Sequence, residues 1–227
     1  MKNNRALNLS DTSIDINKLP TTSPPHDSLF WTLWNACEEI AQEALNTDFV
    51  QGIKSGTLNP QTYGAFNVSD AYYCFHGAAD YQTAADNATH PVLKAYLQQK
   101  HDSYQSYNET FPDTWRVQDG SSIVPTQVCK EYSEFETSVC QSEEPIYALI
   151  VMLPCEYLWA WLGEQLAGYE ENNLYKDWIT GNQGFSGAYK MGNFIHEYVQ
   201  ENPIDHERAL SIYRQAMTFE KDNFATI

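Results

Sequence analysis

Positive charge is scarce in this chain. Its 227 residues hold 13 Lys and Arg against 30 Asp and Glu, a formal net charge of -17. Nucleic acid and anionic membrane surfaces are bound through Lys and Arg, so this balance sets both aside as partners. A small molecule or another protein remains. Long hydrophobic runs are also missing. The best candidate for a bilayer span is interrupted by Glu156. Residues 1–22 have no apolar core of the kind a signal peptide needs, so a cytoplasmic protein is expected. The Asn-x-Ser/Thr triplets at Asn8, Asn67, Asn87 and Asn108 then have no meaning as glycan acceptors. The five cysteines (Cys37, Cys74, Cys129, Cys140 and Cys155) are odd in number and follow no zinc spacing. Reduced thiols are the simplest reading. Glu-x-x-His pairs are absent, which argues against a di-iron centre built from His76, Glu156, His196 and His206. No metal and no cofactor is expected.

What the chain does have is aromatic residues, 14% of the total with 15 Tyr and 6 Trp. So many tyrosines suit internal surfaces that are apolar yet carry hydroxyls. The most informative segment is Leu153-Pro154-Cys155-Glu156-Tyr157-Leu158-Trp159. It lies in a run over residues 145–166 that is apolar nearly all round, as expected of a helix at the centre of a bundle. Proline there removes a backbone hydrogen bond and predicts a kink beside a thiol. A buried cysteine is commonly just a small apolar core residue, so the thiol alone decides nothing.

Helical patterns follow one another with no convincing strand. Residues 1–26 read as a flexible arm rich in Asn, Ser, Thr and Pro. A first helix is expected over 28–55, with a break admitted near Asn46-Thr47-Asp48. Asn59-Pro60 opens a second helix and His90-Pro91 a third. A fourth covers 126–140 and the central helix 143–166. Asn202-Pro203 is expected to cap the last. The class is all-α, one domain over 27–227 with about seven or eight helices.

Residues three or four apart share a helix face. Phe66, Asp70, Tyr73 and Gly77 form one such stripe, and Val128, Tyr132, Phe135 and Val139 another. Met152, Cys155, Trp159 and Leu162 form a third, and Tyr213, Met217, Glu220 and Phe224 a fourth. Two carboxyls, a thiol and several aromatics should therefore point inward. A single buried carboxyl is often only a structural acceptor. Two acids and a thiol together suit chemistry, because burial raises a carboxyl pKa and makes it a general acid near neutrality. Aromatic walls suit a flat ring as ligand.

The sequence resembles the TenA family, the thiaminase II group. The pieces that carry the resemblance are Phe49-Val50-Gln51-Gly52-Ile53 with Gly56-Thr57-Leu58, then Asp70-Ala71-Tyr72-Tyr73, then Leu153-Pro154-Cys155, with weaker support from Trp178-Ile179 and Phe219-Glu220. The resemblance implies a haem-oxygenase-like helical fold without haem, assembled as a homo-oligomer, a dimer or tetramer. It implies a thiamin-salvage hydrolase acting on aminopyrimidines such as 4-amino-5-aminomethyl-2-methylpyrimidine, and on thiamin. Cys155 resembles the nucleophile that adds to the pyrimidine ring, and Glu220 the acid that protonates a ring nitrogen. Asp70 resembles the acid that holds the ring's amino group and a ring nitrogen. Tyr73 and Tyr132 resemble pocket tyrosines, Tyr132 beside the thiol. Phe66, Trp159 and Asn182 complete the expected substrate-binding set.

Three positions depart from the family pattern. Trp159 stands where a tyrosine is common, and Thr180-Gly181-Asn182-Gln183 where another pocket tyrosine is expected. Asn223 stands where an aromatic usually follows Glu220. Two other readings therefore compete with the hydrolase: a non-catalytic pyrimidine-binding or thiamin-binding relative, and an oxidase of the same helical superfamily.

Overall fold

The computed structural model describes residues 14–226, and these form eleven α-helices and one short 3-10 turn. The helices are α1 (Leu29–Asn35), α2 (Glu38–Leu45), α3 (Asp48–Ser55), α4 (Pro60–Asn87), α5 (Pro91–Asn108) and α6 (Phe111–Thr114). They continue as α7 (Gln127–Ser142), α8 (Tyr147–Gln165), α9 (Lys176–Asn182), α10 (Ser186–Glu201) and α11 (His206–Ala225). The all-α expectation holds. Helices outnumber the expected seven or eight because the stretch read as one helix over 28–55 is three. Thr47 starts the third of these, its hydroxyl accepting from the Val50 amide.

Local chemistry explains the other boundaries. Asn59 accepts from the Gln61 amide while Pro60 occupies the first turn of α4, where its missing N–H costs nothing. Thr126 caps α7 through the Cys129 amide. The last helix starts later than Asn202-Pro203 suggested. Its cap is Asp205, which accepts from the amides of Glu207 and Arg208. A carboxylate there satisfies two orphan donors and complements the helix dipole, whereas Asn202 bonds back to Tyr198 at the end of α10.

α8 lies at the centre, and its segment from Tyr147 to Pro154 is buried at every position. The helix continues through Pro154 without a break. α11 packs along α8 and α2, α4 lies against α5 and α7, and α9 and α10 close over α8. Gly163 lets α9 approach α8 closely. A Cβ there would lie 2.9 Å from the backbone of Asn182 and Gln183. This contact fixes the end of α9 beside the middle of the bundle, where a cavity opens between α4, α5, α7, α8 and α11.

The arm read from the sequence over 1–26 needs correction for its described part. Residues 1–13 lie outside the described residues. Beyond them, Leu19 and Pro24 are buried, and Asn193 of α10 donates from Nδ2 to the carbonyls of Pro20 (3.0 Å) and Thr22 (2.8 Å). Trp31 Nε1 donates to the Pro24 carbonyl. Prolines removed the helical periodicity of this stretch, but two apolar residues and three free carbonyls still anchor it. Asn193→Ala should lower the unfolding free energy by about 1–2 kcal/mol, the net worth of two such bonds. Urea denaturation measures it, and a midpoint equal to wild type would mean that the segment contributes nothing.

Candidate active site

The cavity at the centre of the bundle has a volume of about 430 Å³. Its walls carry the thiol of Cys155 and the carboxyls of Asp70 and Glu220. α8 supplies Cys155, α4 supplies Asp70 and Tyr73, α7 supplies Tyr132, and α11 supplies Glu220. Four inward stripes thus meet in one chamber.

Glu220 is 2% exposed and held from two sides. Trp159 Nε1 donates to Oε2 at 3.0 Å, and the Tyr132 hydroxyl donates to Oε1 at 3.2 Å. Burial pushes its carboxyl up to about 8, and the carboxyl of Asp70 adds to the push, while the two donors pull the other way. Asp70 faces the cavity without a hydrogen-bond partner among the described residues. Burial alone raises it to about 7. Near neutral pH both acids hold protons for much of the time.

The Cys155 Sγ lies 3.1 Å from the Met152 carbonyl oxygen and 3.1 Å from the Tyr104 hydroxyl. Burial pushes the thiol well above its usual range, and Glu156, Glu220 and Glu136 push it further; the Tyr104 bond lowers it. Lys100 and Glu156 form an ion pair on the same wall, with side chains 14% and 19% exposed.

The model of the TENA/THI-4/PQQC family matches residues 34–225. The chain belongs to that family. A thiamine biosynthesis multifunctional protein of Corynebacterium efficiens is 23% identical over 203 residues, 85% of this chain; the chain spans 27% of that relative's length. Among solved structures, a TenA family transcription regulator of Silicibacter sp. TM1040 is similar with a TM-score of 0.75 at 16% identity, covering 89% of this chain and 97% of that one. A TenA homologue of P. horikoshii OT3 gives 0.74 at 17% identity, covering 87% and 96%. A Sulfolobus solfataricus chain provisionally named a TenA-like thiaminase gives 0.66 at 16%, covering 86% and 93%.

Within this TenA-family chain, seven of the eight residues singled out from the sequence line the cavity: Cys155, Glu220, Asp70, Tyr73, Tyr132, Trp159 and Asn182. Phe66 does not. It is fully buried behind the wall, stacked on Phe224 and in ring contact with Trp159 and Phe49. A helix turn separates it from Asp70, and the aromatic layer fills that turn. Tyr132 was expected beside the thiol, yet its hydroxyl bonds Glu220, and the hydroxyl on Sγ is that of Tyr104. Asn182 spends its amide nitrogen on the Trp178 carbonyl at 2.7 Å, inside its own helix.

Three residues at or beside the cavity escaped sequence reasoning. Tyr104 and Lys100 come from α5, whose polar, weakly patterned sequence reads as a surface helix. Glu136 is fully buried and accepts from the Tyr73 hydroxyl at 2.8 Å. Its place four residues after Tyr132, on the same face of α7, was the available signal. Asn223, read from the sequence only as a departure from the family pattern, lines the cavity with a buried Oδ1 that has no partner among the described residues, an acceptor open to a ligand N–H. His76, His196 and His206 sit on different helices, and no group of three His, Cys, Asp or Glu side chains converges as a metal site among the described residues.

Buried acids give a pH signature. Asp80 is also raised to about 7, by burial first and against a bond from Thr137, and burial lifts Glu136 well above the usual range. The native state therefore keeps protons that the unfolded chain loses above about pH 4, where free carboxyls ionise. Native binds more protons than unfolded between about pH 4 and 8, so stability must fall as pH rises through that window. Thermal melts from pH 5 to pH 9 should show the fall, and Glu220→Gln should flatten it. A melting temperature that rises with pH would contradict the assignment of neutral acids.

Proposed function

We propose that this chain is a hydrolase of the thiamin-salvage type, cleaving the C–N bond at the methylene substituent of an aminopyrimidine. The observation that carries the reading is the convergence of a thiol, a proton-bearing Glu220 and an unpaired Asp70 on one cavity of ring size. The edge of an aminopyrimidine presents an N–H donor next to a ring-nitrogen acceptor. A neutral carboxyl presents the complementary acceptor and donor. Asp70, raised to about 7 and without a protein partner, matches that edge.

The chemistry follows from the placement. The thiolate of Cys155 adds to a ring carbon, forming a C–S bond, and the electron pair moves to a ring nitrogen. Glu220 gives that nitrogen its proton, without which addition to an aromatic ring is uphill. The electron pair then returns and expels the amine from the methylene carbon as ammonia, which leaves with the proton that Cys155 gave up. Water adds its hydroxyl at the methylene carbon and its proton returns to the sulfur as the C–S bond breaks, while the ring nitrogen hands its proton back to Glu220. Asp70 keeps the ring oriented throughout.

The departures from the family pattern do not empty the site. Trp159 lacks a hydroxyl but supplies an N–H donor to Glu220 in its place. This favours a hydrolase over a non-catalytic binding relative. In the proposed assembly the chain works in the cytoplasm as a homo-oligomer with a small-molecule substrate.

Ammonia release from 4-amino-5-aminomethyl-2-methylpyrimidine tests the reading. Wild type should turn over and Cys155→Ala should not, with loss of at least about three orders of magnitude. Asp70→Asn should lose about 10–1000-fold in kcat/KM while keeping its melting temperature. A folded wild type with no turnover would overturn the hydrolase, and binding of the pyrimidine without turnover would favour the non-catalytic relative.

A further inference from the structure

Tyr104 occupies a place that the fold has made for it. The Cys155 sulfur carries one proton and meets two partners at 3.1 Å, the Met152 carbonyl oxygen and the Tyr104 hydroxyl. A carbonyl oxygen only accepts, so it takes the S–H, and the Tyr104 O–H is left to donate to the sulfur lone pair. The ring reaches this position over Gly77 of α4. A Cβ at Gly77 would lie 2.9 Å from Tyr104 Cε1, closer than two carbons settle, and 3.3 Å from Cδ1. Tyr81 steadies the ring edge-on, with centroids 5.3 Å apart. Glycine in the interior of a long helix weakens it, and here the bare backbone gives the tyrosine its access to the thiol.

The geometry points to Tyr104 as a further catalytic residue, whose hydroxyl donates to Cys155 Sγ and holds it as the attacking thiolate. This rests on Cys155 being the nucleophile of the proposed hydrolysis. The other groups around the sulfur are committed elsewhere or oppose its ionisation. From α4, Asp70 and Cys74 face the cavity, and the Tyr73 hydroxyl goes to Glu136. From α7, the Tyr132 hydroxyl goes to Glu220, and Glu136 adds negative charge. Glu220 of α11 and Glu156 of α8 also oppose the thiolate, and Lys100 of α5 is engaged by Glu156. Among the described residues, Tyr104 alone places a donor on the sulfur. Burial and the thiol beside it keep its own proton bound far above neutral pH, so it remains a donor when the thiol ionises. On ionisation the thiol proton leaves to cavity water and the Met152 bond is lost. The Tyr104 bond becomes charge-assisted and stronger.

The test is iodoacetamide alkylation of Cys155 across pH, read on the cysteine-containing peptide by mass spectrometry, alongside ammonia release. Tyr104→Phe keeps the ring and removes only the hydroxyl. Its Cys155 alkylation rate at pH 8 should fall about 10–100-fold, with the profile displaced to higher pH, because a bond to a charged group is lost. Ammonia release should fall by a similar factor. Gly77→Ala should displace the profile in the same direction by pushing the ring away. A Tyr104→Phe profile superimposed on wild type would overturn the role, whatever happens to activity. A wild-type profile for Gly77→Ala would overturn the slot. Alkylation needs no substrate, so it reads Tyr104 even if the wild type hydrolyses no aminopyrimidine, and the two readings fail separately.

Discussion

Carboxyls held neutral by burial inside an acidic protein are the constraint on which this structure turns. Asp70, Asp80, Glu136 and Glu220 are all raised by burial, in a chain whose net charge is already -17. Each ionised would be a charge in a poorly solvated interior, a far costlier state than a neutral acid with hydrogen bonds. For Glu136 and Glu220 the bundle offsets this with tyrosine and tryptophan donors, while Thr137 serves Asp80 and Asp70 faces the cavity. Tyr73 serves Glu136, and Tyr132 and Trp159 serve Glu220. These aromatics form the wall of the chamber and also hold the acids in place. The tyrosines thus position the acids, while burial keeps the protons on against the pull of these donors.

The helices matter because they bring short segments far apart in sequence to one point. α8 runs through the middle and presents Cys155 between α4, α5, α7 and α11. The close approach of α9 at Gly163 sets Asn182 at the edge of the same chamber. A ring entering this space meets a thiol, a free acid and an acid held by two donors. Membership of the TENA/THI-4/PQQC family rests on the match over residues 34–225. The solved relatives, all below 20% identical where cited, support the fold.

Much of this was legible in the sequence, and the rest was hidden for physical reasons. The all-α class followed from period and caps, and Asp70, Cys155 and Glu220 followed from polar groups on apolar stripes. Phe66 misled because it shares a stripe with Asp70 yet lies one turn deeper, behind the wall. Tyr104 and Lys100 could not be picked out, since α5 mixes Gln, Lys, His, Asp and Ser in a pattern typical of a solvated helix. Its inward face is defined only by where α4 lies, and Tyr104 reaches the thiol over the bare backbone at Gly77. The described part of the arm misled in the opposite sense. Its anchoring comes from backbone carbonyls caught by Asn193, which leave no trace in composition.

The proposed chemistry depends most on Glu220 being a neutral acid at working pH. Carbon-13 NMR titration of the glutamate side-chain carboxyls, with Glu220→Gln to assign the resonance, tests it most directly. A midpoint near 8 is expected for Glu220. A midpoint near the ordinary glutamate value of about 4.3 would mean an ionised carboxylate in the cavity, and the proton donor for the ring would have to be sought elsewhere.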